Sequence, residues 1–265
     1  MTRRGCAALA TSKTAALRVL DEPAFVLHHY DWSESSRILE VFSRHHGRLA
    51  LVAKGAKRPT SSLRAVLLPL QPLSLCYGGD AEIRTLKSAE WAGGHVMPRG
   101  EALLSGYYLN ELLLRLLARD DPHPALFDTY RQTVKILASG LDNTIAPLLR
   151  AFELLLLRDI GFLPDVSVQT LTLQAVQSEL SYALFAEGGL RAVEDEGVAL
   201  KGRHWLQLHD ALHAESALTA LLRCCAELPP ELRAALQTQL RNLLHYHCGV
   251  SSLRTRQVML ELLAL

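Results

Sequence analysis

The hydrophobic period of the chain changes near residue 98, and this change limits the folds that the sequence can adopt. Before it, short β-prone runs are separated by Gly, Pro and Ser clusters. These runs are AFVLHHYDW, GRLALVAKG, PLSLCYGG and AEIRTLKSAEWA. Four or five short strands so close together favour a small closed β-barrel over an isolated hairpin. The segment SESSRILEVFSRHHG, which lies between the first two runs, fits either a strand or a helix.

From Met97 onward the apolar residues follow a helical period. Three helices with short connections are predicted in GEALLSGYYLNELLLRLLARDD, ALFDTYRQTVKILASG and TIAPLLRAFELLLLRDIGFLP. A β-hairpin around Gly188 and Gly189 is expected next, in SYALFAEGGLRAV. Helical pattern then returns in HWLQLHDALHAESALTALLRCCAEL, PELRAALQTQLRNLLHYHCG and SSLRTRQVMLELLAL.

The sequence therefore predicts a multidomain α+β protein. We expect a barrel over residues 22–96 and a mostly α-helical domain over 97–265, with a small hairpin insert at about 165–203. Residues 1–21 contain few acids and much Ala, Ser, Thr and Arg, so they are expected to form a disordered extension, with a cleaved transit peptide as the alternative. No run has the length of a membrane span, and five cysteines without a framework spacing predict a reduced, cytoplasmic protein.

Signatures of catalysis are missing from the sequence. It has no G-x-x-x-x-G-K-[ST], H-E-x-x-H or G-x-S-x-G motif, so we expect no enzyme and no cofactor. Adjacent Cys224 and Cys225 lack the spacing of paired zinc ligands, and the HYHC segment has no second pair to complete a tetrahedron. We therefore expect no metal. A metal-dependent nuclease would need clustered carboxylates, and the long acid-free stretch of the barrel argues against one.

One segment of the predicted barrel is basic and free of acids. Lys and Arg total 28 against 27 Asp and Glu, so electrostatic arguments must be local, yet no acid occurs from residue 41 to 79. The candidate phosphate-binding cations are Arg48, Lys54, Lys57, Arg58 and Arg64, with Trp32, Phe42 or Tyr77 as rings for base stacking. Residues alone leave two interpretations open: a nucleic-acid surface, or a turn that is merely solvated.

The segment AFVLHHYDWSESSRILEVFSRHHGRLALVAKGAKR resembles the N-terminal domain of the bacterial RecO family of DNA repair proteins. The similarity continues through LLPLQPLSLCYGGDAEIRTLKSAE, SGYYLNELLLRLL, LLRAFELLLLRDIGFLP and HYHCGVSSLRTRQVMLELL, so it covers nearly the whole chain from about residue 22. The resemblance implies an oligonucleotide-binding (OB) fold followed by a helical domain. It also assigns Arg48, Lys54 and Lys57 to DNA, whereas Arg58 and Arg64 rest on their charge alone.

The resemblance also implies a function in recombination. Members of this family bind single- and double-stranded DNA, anneal complementary strands, and help the recombinase RecA replace single-strand-binding protein (SSB), together with RecR and in many bacteria RecF. A cytoplasmic, nucleoid-associated location follows. Many relatives carry four zinc-binding cysteines in the insert, whereas residues 165–205 here contain none. The alternative is a protein adaptor whose basic loop does not contact DNA.

The family implies a site for the SSB C-terminal tail on the helical domain. That tail is acidic and ends in an apolar aromatic residue with a free carboxylate, so its receptor needs an apolar groove beside an Arg. The match to LLRAFEL makes Arg150 the first candidate, and Arg158 is a weaker second. Helical spacing adds Phe152 on the same helix and Tyr108 with Leu112 as a facing wall. In the alternative interpretation Arg150 only pairs with an acid such as Glu153 or Asp159.

Overall fold

The computed structural model describes residues 18–94, 96–140, 142–194 and 199–263. Five strands form the N-terminal part: β1 (Arg18–Asp31), β2 (Arg37–Ser43), β3 (Gly47–Ala53), β4 (Pro72–Gly78) and β5 (Ile83–Trp91). They close into a barrel in the order β1-β2-β3-β5-β4, in which only the β3–β5 pair is parallel. A single-turn helix, α1 (Leu63–Val66), lies between β3 and β4. The predicted barrel is confirmed, and the ambiguous segment before β3 contributes strand β2.

The first strand changes one predicted boundary. Residues 18–21 were expected from the sequence to belong to the N-terminal extension. Because β1 begins at Arg18, these four residues belong to the barrel instead. The expectation for residues 1–17 lies outside the described part of the chain. Val19 packs against the barrel core, so the apolar pattern of the strand already starts within the predicted extension.

Alternation along the strands gives the barrel two apolar faces. Val26 on β1 and Val41 on β2 point into the barrel core, where they pack with leucines of β3 and β4. Phe25, Leu27 and Phe42 alternate with them and lie on the outer face, in the core of the helical domain. The barrel is therefore apolar outside as well as inside wherever helices cover it.

Within the described residues, seven α-helices follow the barrel: α2 (Glu101–Leu116), α3 (Pro124–Leu137), α4 (Ile145–Asp159), α5 (Gly202–Leu212), α6 (Ala217–Glu227), α7 (Pro230–Cys248) and α8 (Arg254–Leu263). Helix α4 is buried along most of its length, as expected for a helix that is apolar all round. The helical pattern over residues 204–228 is divided between α5 and α6. The predicted helical domain is confirmed.

A small sheet interrupts the helices. Strands β6 (Ser181–Phe185) and β7 (Gly189–Ala192) form the predicted hairpin, and β8 (Leu200–Lys201) adds a third strand beside β6. Gly188 and Gly189 occupy the turn with positive φ values of 87° and 63°, a conformation that favours glycine. The buried Gln239 side chain of α7 accepts a hydrogen bond of 2.6 Å from the Leu184 amide, which fixes the sheet to the helices.

The barrel and the helical domain share one buried interface. Phe25 of β1 stacks edge-on against Tyr130 of α3, with ring centroids 4.9 Å apart. The Tyr130 hydroxyl donates a 2.5 Å hydrogen bond to Asn110 Oδ1, and Asn110 Nδ2 donates one of 3.0 Å to the Leu27 carbonyl. This buried polar chain satisfies the Leu27 carbonyl on β1 and sets the position of α2 against the barrel.

Candidate nucleic-acid interface and partner cavity

The acid-free segment forms a turn after β3, which we call the basic turn (residues 54–58). Gly55 has a φ of 72°, and the Arg58 amide donates a 3.1 Å hydrogen bond to the Gly55 carbonyl, so the chain reverses sharply here. The side chains of Lys54 and Arg58 are exposed. Arg64, on α1, is exposed as well. Three of the five predicted DNA-binding residues are therefore accessible to a phosphate backbone.

Lys57 differs from the other cations because it is bound to the β1–β2 loop. Its Nζ donates hydrogen bonds of 3.0 Å to Asp31 Oδ2 and 3.2 Å to the Ser33 carbonyl. Its amide also donates to the Ser35 carbonyl at 3.0 Å. The hydrogen bond from Lys57 lowers the pKa of Asp31. Lys57 therefore joins the basic turn to the β1–β2 loop, and Asp31 offsets much of its charge.

An exposed aromatic ring lies in the loop that Lys57 holds. Trp32 is 64% exposed, and its amide donates a 3.1 Å hydrogen bond to the Ser36 carbonyl, which closes the loop. The expectation that Phe42 or Tyr77 could stack on bases is wrong, because both rings are fully buried. Phe42 lies under the helical domain and Tyr77 lies in the barrel core. Trp32 alone of the predicted rings is available, and Tyr30, which the sequence did not single out, is 51% exposed.

Arg48 lies apart from the basic turn. It stands near the start of β3, whereas the turn follows its end, and seven residues of strand span roughly 20 Å. Arg48 Nη1 donates a 2.8 Å hydrogen bond to the Leu114 carbonyl of α2 and lies 3.6 Å from Glu40 Oε2. Arg48 therefore connects the barrel to the helical domain. The structure does not group it with the other predicted DNA-binding cations.

A second site is a cavity of about 230 Å³ in the helical domain, which we call the partner cavity. It lies between α2, α4, α7 and the start of α8 and is lined by Ser105, Tyr108, Leu149, Arg150, Glu153, Gln237, Arg241, Leu244, His245, Leu253 and Arg256. Two predicted residues, Tyr108 and Arg150, line it. Three others do not: Leu112 and Phe152 are fully buried in the core, and Arg158 donates to the Leu212 carbonyl elsewhere on the domain.

Arg150 is paired with a buried acid. Its Nη2 donates to Glu153 Oε1, and the Tyr108 hydroxyl donates to the same oxygen at 2.6 Å. Burial raises the pKa of Glu153, while Arg150 and the Tyr108 hydrogen bond oppose this shift. The alternative interpretation of Arg150, an ion pair with Glu153, is therefore the arrangement that the structure shows. Asp159 is instead hydrogen-bonded to His123, at 2.6 Å.

Two further arginines give the partner cavity an excess of positive charge. Arg241 comes from α7 and Arg256 from α8, and among the described residues neither guanidinium group has a hydrogen bond or an ion pair. Burial lowers the pKa of Arg241, and repulsion from Arg256 and Arg150 adds to this shift. Glu153, the acid among the lining residues, attracts Arg241 as well as Arg150, but one carboxylate cannot balance three arginines, so the cavity favours an anion. Sequence reasoning missed Arg241 because only tertiary packing brings it beside Arg150.

The two histidines and the cysteine of the HYHC segment do not converge on one point. His245 lines the partner cavity, whereas the ring of His247 stacks on Phe162 with centroids 4.0 Å apart. Burial raises the pKa of the Cys248 thiol to about 11, so it is poorly suited to bind a metal as a thiolate. Across the described ranges, no group of three or more His, Cys, Asp or Glu side chains could hold a metal ion.

Comparisons with known proteins agree with this architecture. Residues 17–95 match the family model described as "Recombination protein O N terminal", and residues 97–257 match "Recombination protein O C terminal". The chain belongs to the RecO family of DNA repair proteins. It is 62% identical over 255 residues to a "DNA repair protein RecO" from Variovorax paradoxus, covering 95% of this chain and 99% of that one. It is 60% identical over 252 residues to another from a Polaromonas species, covering 95% and 100%.

The RecO family models divide the chain where the structure does. The first ends after β5 and the second begins shortly before α2. The resemblance noted from sequence is thus confirmed, together with the assignment to DNA repair. None of the helices within the described residues is long and apolar enough to span a lipid bilayer.

Proposed function

We propose that the protein is a recombination mediator that binds single- and double-stranded DNA, anneals complementary strands and assists the loading of RecA onto SSB-coated single strands. RecR, and in many bacteria RecF, would act with it. It would act by binding, without bond cleavage or a cofactor, in the nucleoid-associated cytoplasm. The observation that supports this most is the exposure of Lys54, Arg58 and Arg64, together with the exposed Trp32 in the loop that Lys57 ties to the basic turn.

The basic turn would bind DNA through its phosphates. Lysine and arginine contacts to phosphates release counterions and depend little on sequence, which suits a protein that must act on any strand. Neutralising phosphates on two strands at once would lower the repulsion between them and allow complementary bases to meet. Trp32 offers a ring on which a base of either strand can stack.

The partner cavity would receive the C-terminal tail of SSB. Leu149, Leu244 and Leu253 provide apolar surface for the terminal aromatic ring. Arg241 and Arg256 are unpaired within the described residues, so their guanidinium groups can bind the terminal carboxylate. Arg150, the first candidate from sequence, would contribute less to tail binding because its guanidinium group is already paired with the Glu153 carboxylate.

Tail binding can be tested by fluorescence polarisation with a labelled peptide of the SSB C-terminus. Arg241→Ala should weaken binding by about 1.5–3 kcal/mol, the contribution of a hydrogen bond to a charged group. Arg158→Ala is a matched control, because Arg158 lies outside the cavity. Binding of Arg241→Ala to naked single-stranded DNA should be unchanged. Equal peptide affinity in the wild type and both variants would refute this assignment of the tail site.

The alternative is a protein adaptor that does not contact DNA. Salt separates the two functions, because phosphate contacts make the logarithm of affinity fall steeply with the logarithm of salt concentration. An adaptor would show neither direct DNA binding nor this dependence.

A further inference from the structure

A second depression, which we call the interdomain groove, lies between the outer face of the barrel, α2 and the start of α8. Its volume is about 660 Å³, within the range of sites that hold a small organic ligand. Its lining includes His28 and Tyr30 of β1, Tyr107 of α2 and Arg254 of α8. No residue predicted from sequence to bind DNA lines this groove except Arg48.

Strand register shows where the groove lies relative to the basic turn. Tyr30 on β1 is opposite Ile38 on β2, which is opposite Val52 on β3, two residues before Lys54. Tyr30 therefore lies at the end of the barrel that carries the basic turn. Arg48, at the start of β3, marks the other end of the groove. The groove thus runs along the barrel, and its Tyr30 end is next to the Trp32 loop.

The aromatic side chains of the groove are accessible. Tyr30 is 51% exposed and Tyr107 is 39% exposed. The His28 ring packs edge-on against Tyr30, with centroids 4.6 Å apart, which supports the Tyr30 ring from one side. Burial lowers the pKa of His28, Glu40 opposes that shift and Arg254 adds to it, so the imidazole is largely neutral near pH 7. The groove therefore presents neutral aromatic surfaces that are already ordered.

The charge of the groove is also suited to a nucleotide. Glu111 is the acidic residue that lines the groove. Its Oε1 accepts hydrogen bonds from the Arg115 side chain and the Arg254 amide, and its Oε2 accepts hydrogen bonds from the Thr255 amide and hydroxyl. These donors compensate the carboxylate. The Arg254 guanidinium is exposed and, within the described residues, has no hydrogen bond or ion pair. A cation is thus left free beside two exposed rings.

We propose that the interdomain groove binds one or two bases of a single DNA strand that continues from the basic turn, with the bases stacked on Tyr30 and Tyr107 and a phosphate at Arg254. This inference rests on the proposed function, and it adds a strand-specific site to it. Bases within a duplex are already stacked on each other, so only a single strand can present them to these rings. The basic turn would bind both forms of DNA, and the groove would favour the single strand.

Alanine substitutions at Tyr30 and Tyr107 test the groove. Each should weaken binding of a labelled single-stranded oligonucleotide at least fivefold, because the stacking of one base is lost, and leave duplex affinity unchanged. Tyr30→Phe keeps the ring and should retain wild-type affinity. Tyr246→Ala is the matched control, since Tyr246 is 52% exposed but lies on α7 outside the groove. Arg254→Ala should also weaken single-strand binding and reduce its salt dependence.

Photocross-linking gives a second readout that does not depend on affinity. A single-stranded oligonucleotide carrying 5-iodouracil should cross-link to Tyr30 or Tyr107 in the wild-type protein, as read by mass spectrometry. If neither tyrosine cross-links and both alanine variants bind single strands like the wild type, the groove is not a DNA site. Loss of binding in a Lys54→Gln, Arg58→Gln variant of the basic turn would then still support the proposed function, whereas unchanged binding in that variant as well would refute both.

Discussion

Neutralising the exposed cations of the barrel should change how DNA binding depends on salt. The variant Lys54→Gln, Arg58→Gln, Arg64→Gln removes the positive charge from three side chains that are all exposed. Lys57 is left in place, because it is hydrogen-bonded to Asp31 and the Ser33 carbonyl and its loss would disturb the Trp32 loop. The substitutions therefore change charge without removing a buried contact.

The size of the effect follows from the number of phosphate contacts. Each contact to single-stranded DNA contributes roughly 0.7 to the slope of log affinity against log salt, so three contacts contribute about 2. Between 50 and 200 mM salt this share of the slope corresponds to a roughly 15- to 20-fold loss of affinity. The affinity of the wild-type protein should include this roughly 15- to 20-fold share of the salt effect, and the affinity of the triple variant should fall less steeply with salt by that share.

Fluorescence anisotropy of a labelled oligonucleotide, titrated at several salt concentrations, measures both slopes. The matched control is Arg131→Gln, Lys135→Gln, Arg223→Gln, which removes the same charge from exposed positions of the helical domain. If the triple variant kept the wild-type slope, or if the control lost as much of it, the assignment of phosphate contacts to Lys54, Arg58 and Arg64 would be wrong.

The helical domain gives three further predictions. Arg150→Ala should lower the free energy of unfolding by about 3–5 kcal/mol, as measured by urea unfolding, because Glu153 stays buried without its cation. The double variant Arg150→Met, Glu153→Gln should recover most of the lost stability, because it leaves no unpaired buried charge. Burial raises the pKa of Glu111, but hydrogen bonds from Thr255, Arg254 and Arg115 outweigh it and lower the pKa. The stabilisation that Glu111 provides should therefore be fully present at pH values above 4.5, the ordinary pKa of a glutamate, and should disappear as the pH falls through the lowered pKa. The Glu111→Gln variant should lack this pH-dependent part of the stability. Elemental analysis should find no stoichiometric zinc, and one equivalent would point to residues 245–248.

The sequence predicts the elements of this fold well because each part has a clear period. The barrel runs alternate and the helical runs repeat every three to four residues, so both parts are identified without tertiary information. Strand β8 was missed because two residues carry no period. The start of β1 was placed too late because residues 18–21 (RVLD) are too few to show an alternating pattern by themselves and were grouped with the preceding extension.

The side chains of the sites are harder to predict, because packing between domains decides their exposure. Phe42 alternates outward from the barrel, and a barrel alone would expose it, but the helical domain covers it. Leu112 and Phe152 lie on the expected helical faces, yet those faces form the core. Arg241 and Arg256 are distant in sequence from Arg150 and meet it only in the folded partner cavity.

Annealing of complementary strands, with and without a coat of cognate SSB, tests the central proposal most directly. The wild-type protein should anneal both substrates. The Lys54→Gln, Arg58→Gln, Arg64→Gln variant should fail on both, because it lacks the phosphate contacts of these three cations, whereas Arg241→Ala should fail only on coated strands, because it lacks the tail carboxylate contact. If the wild type did not anneal coated strands, or if Arg241→Ala were impaired equally on naked and coated strands, the proposed division between a DNA-binding barrel and a tail-binding cavity would be contradicted.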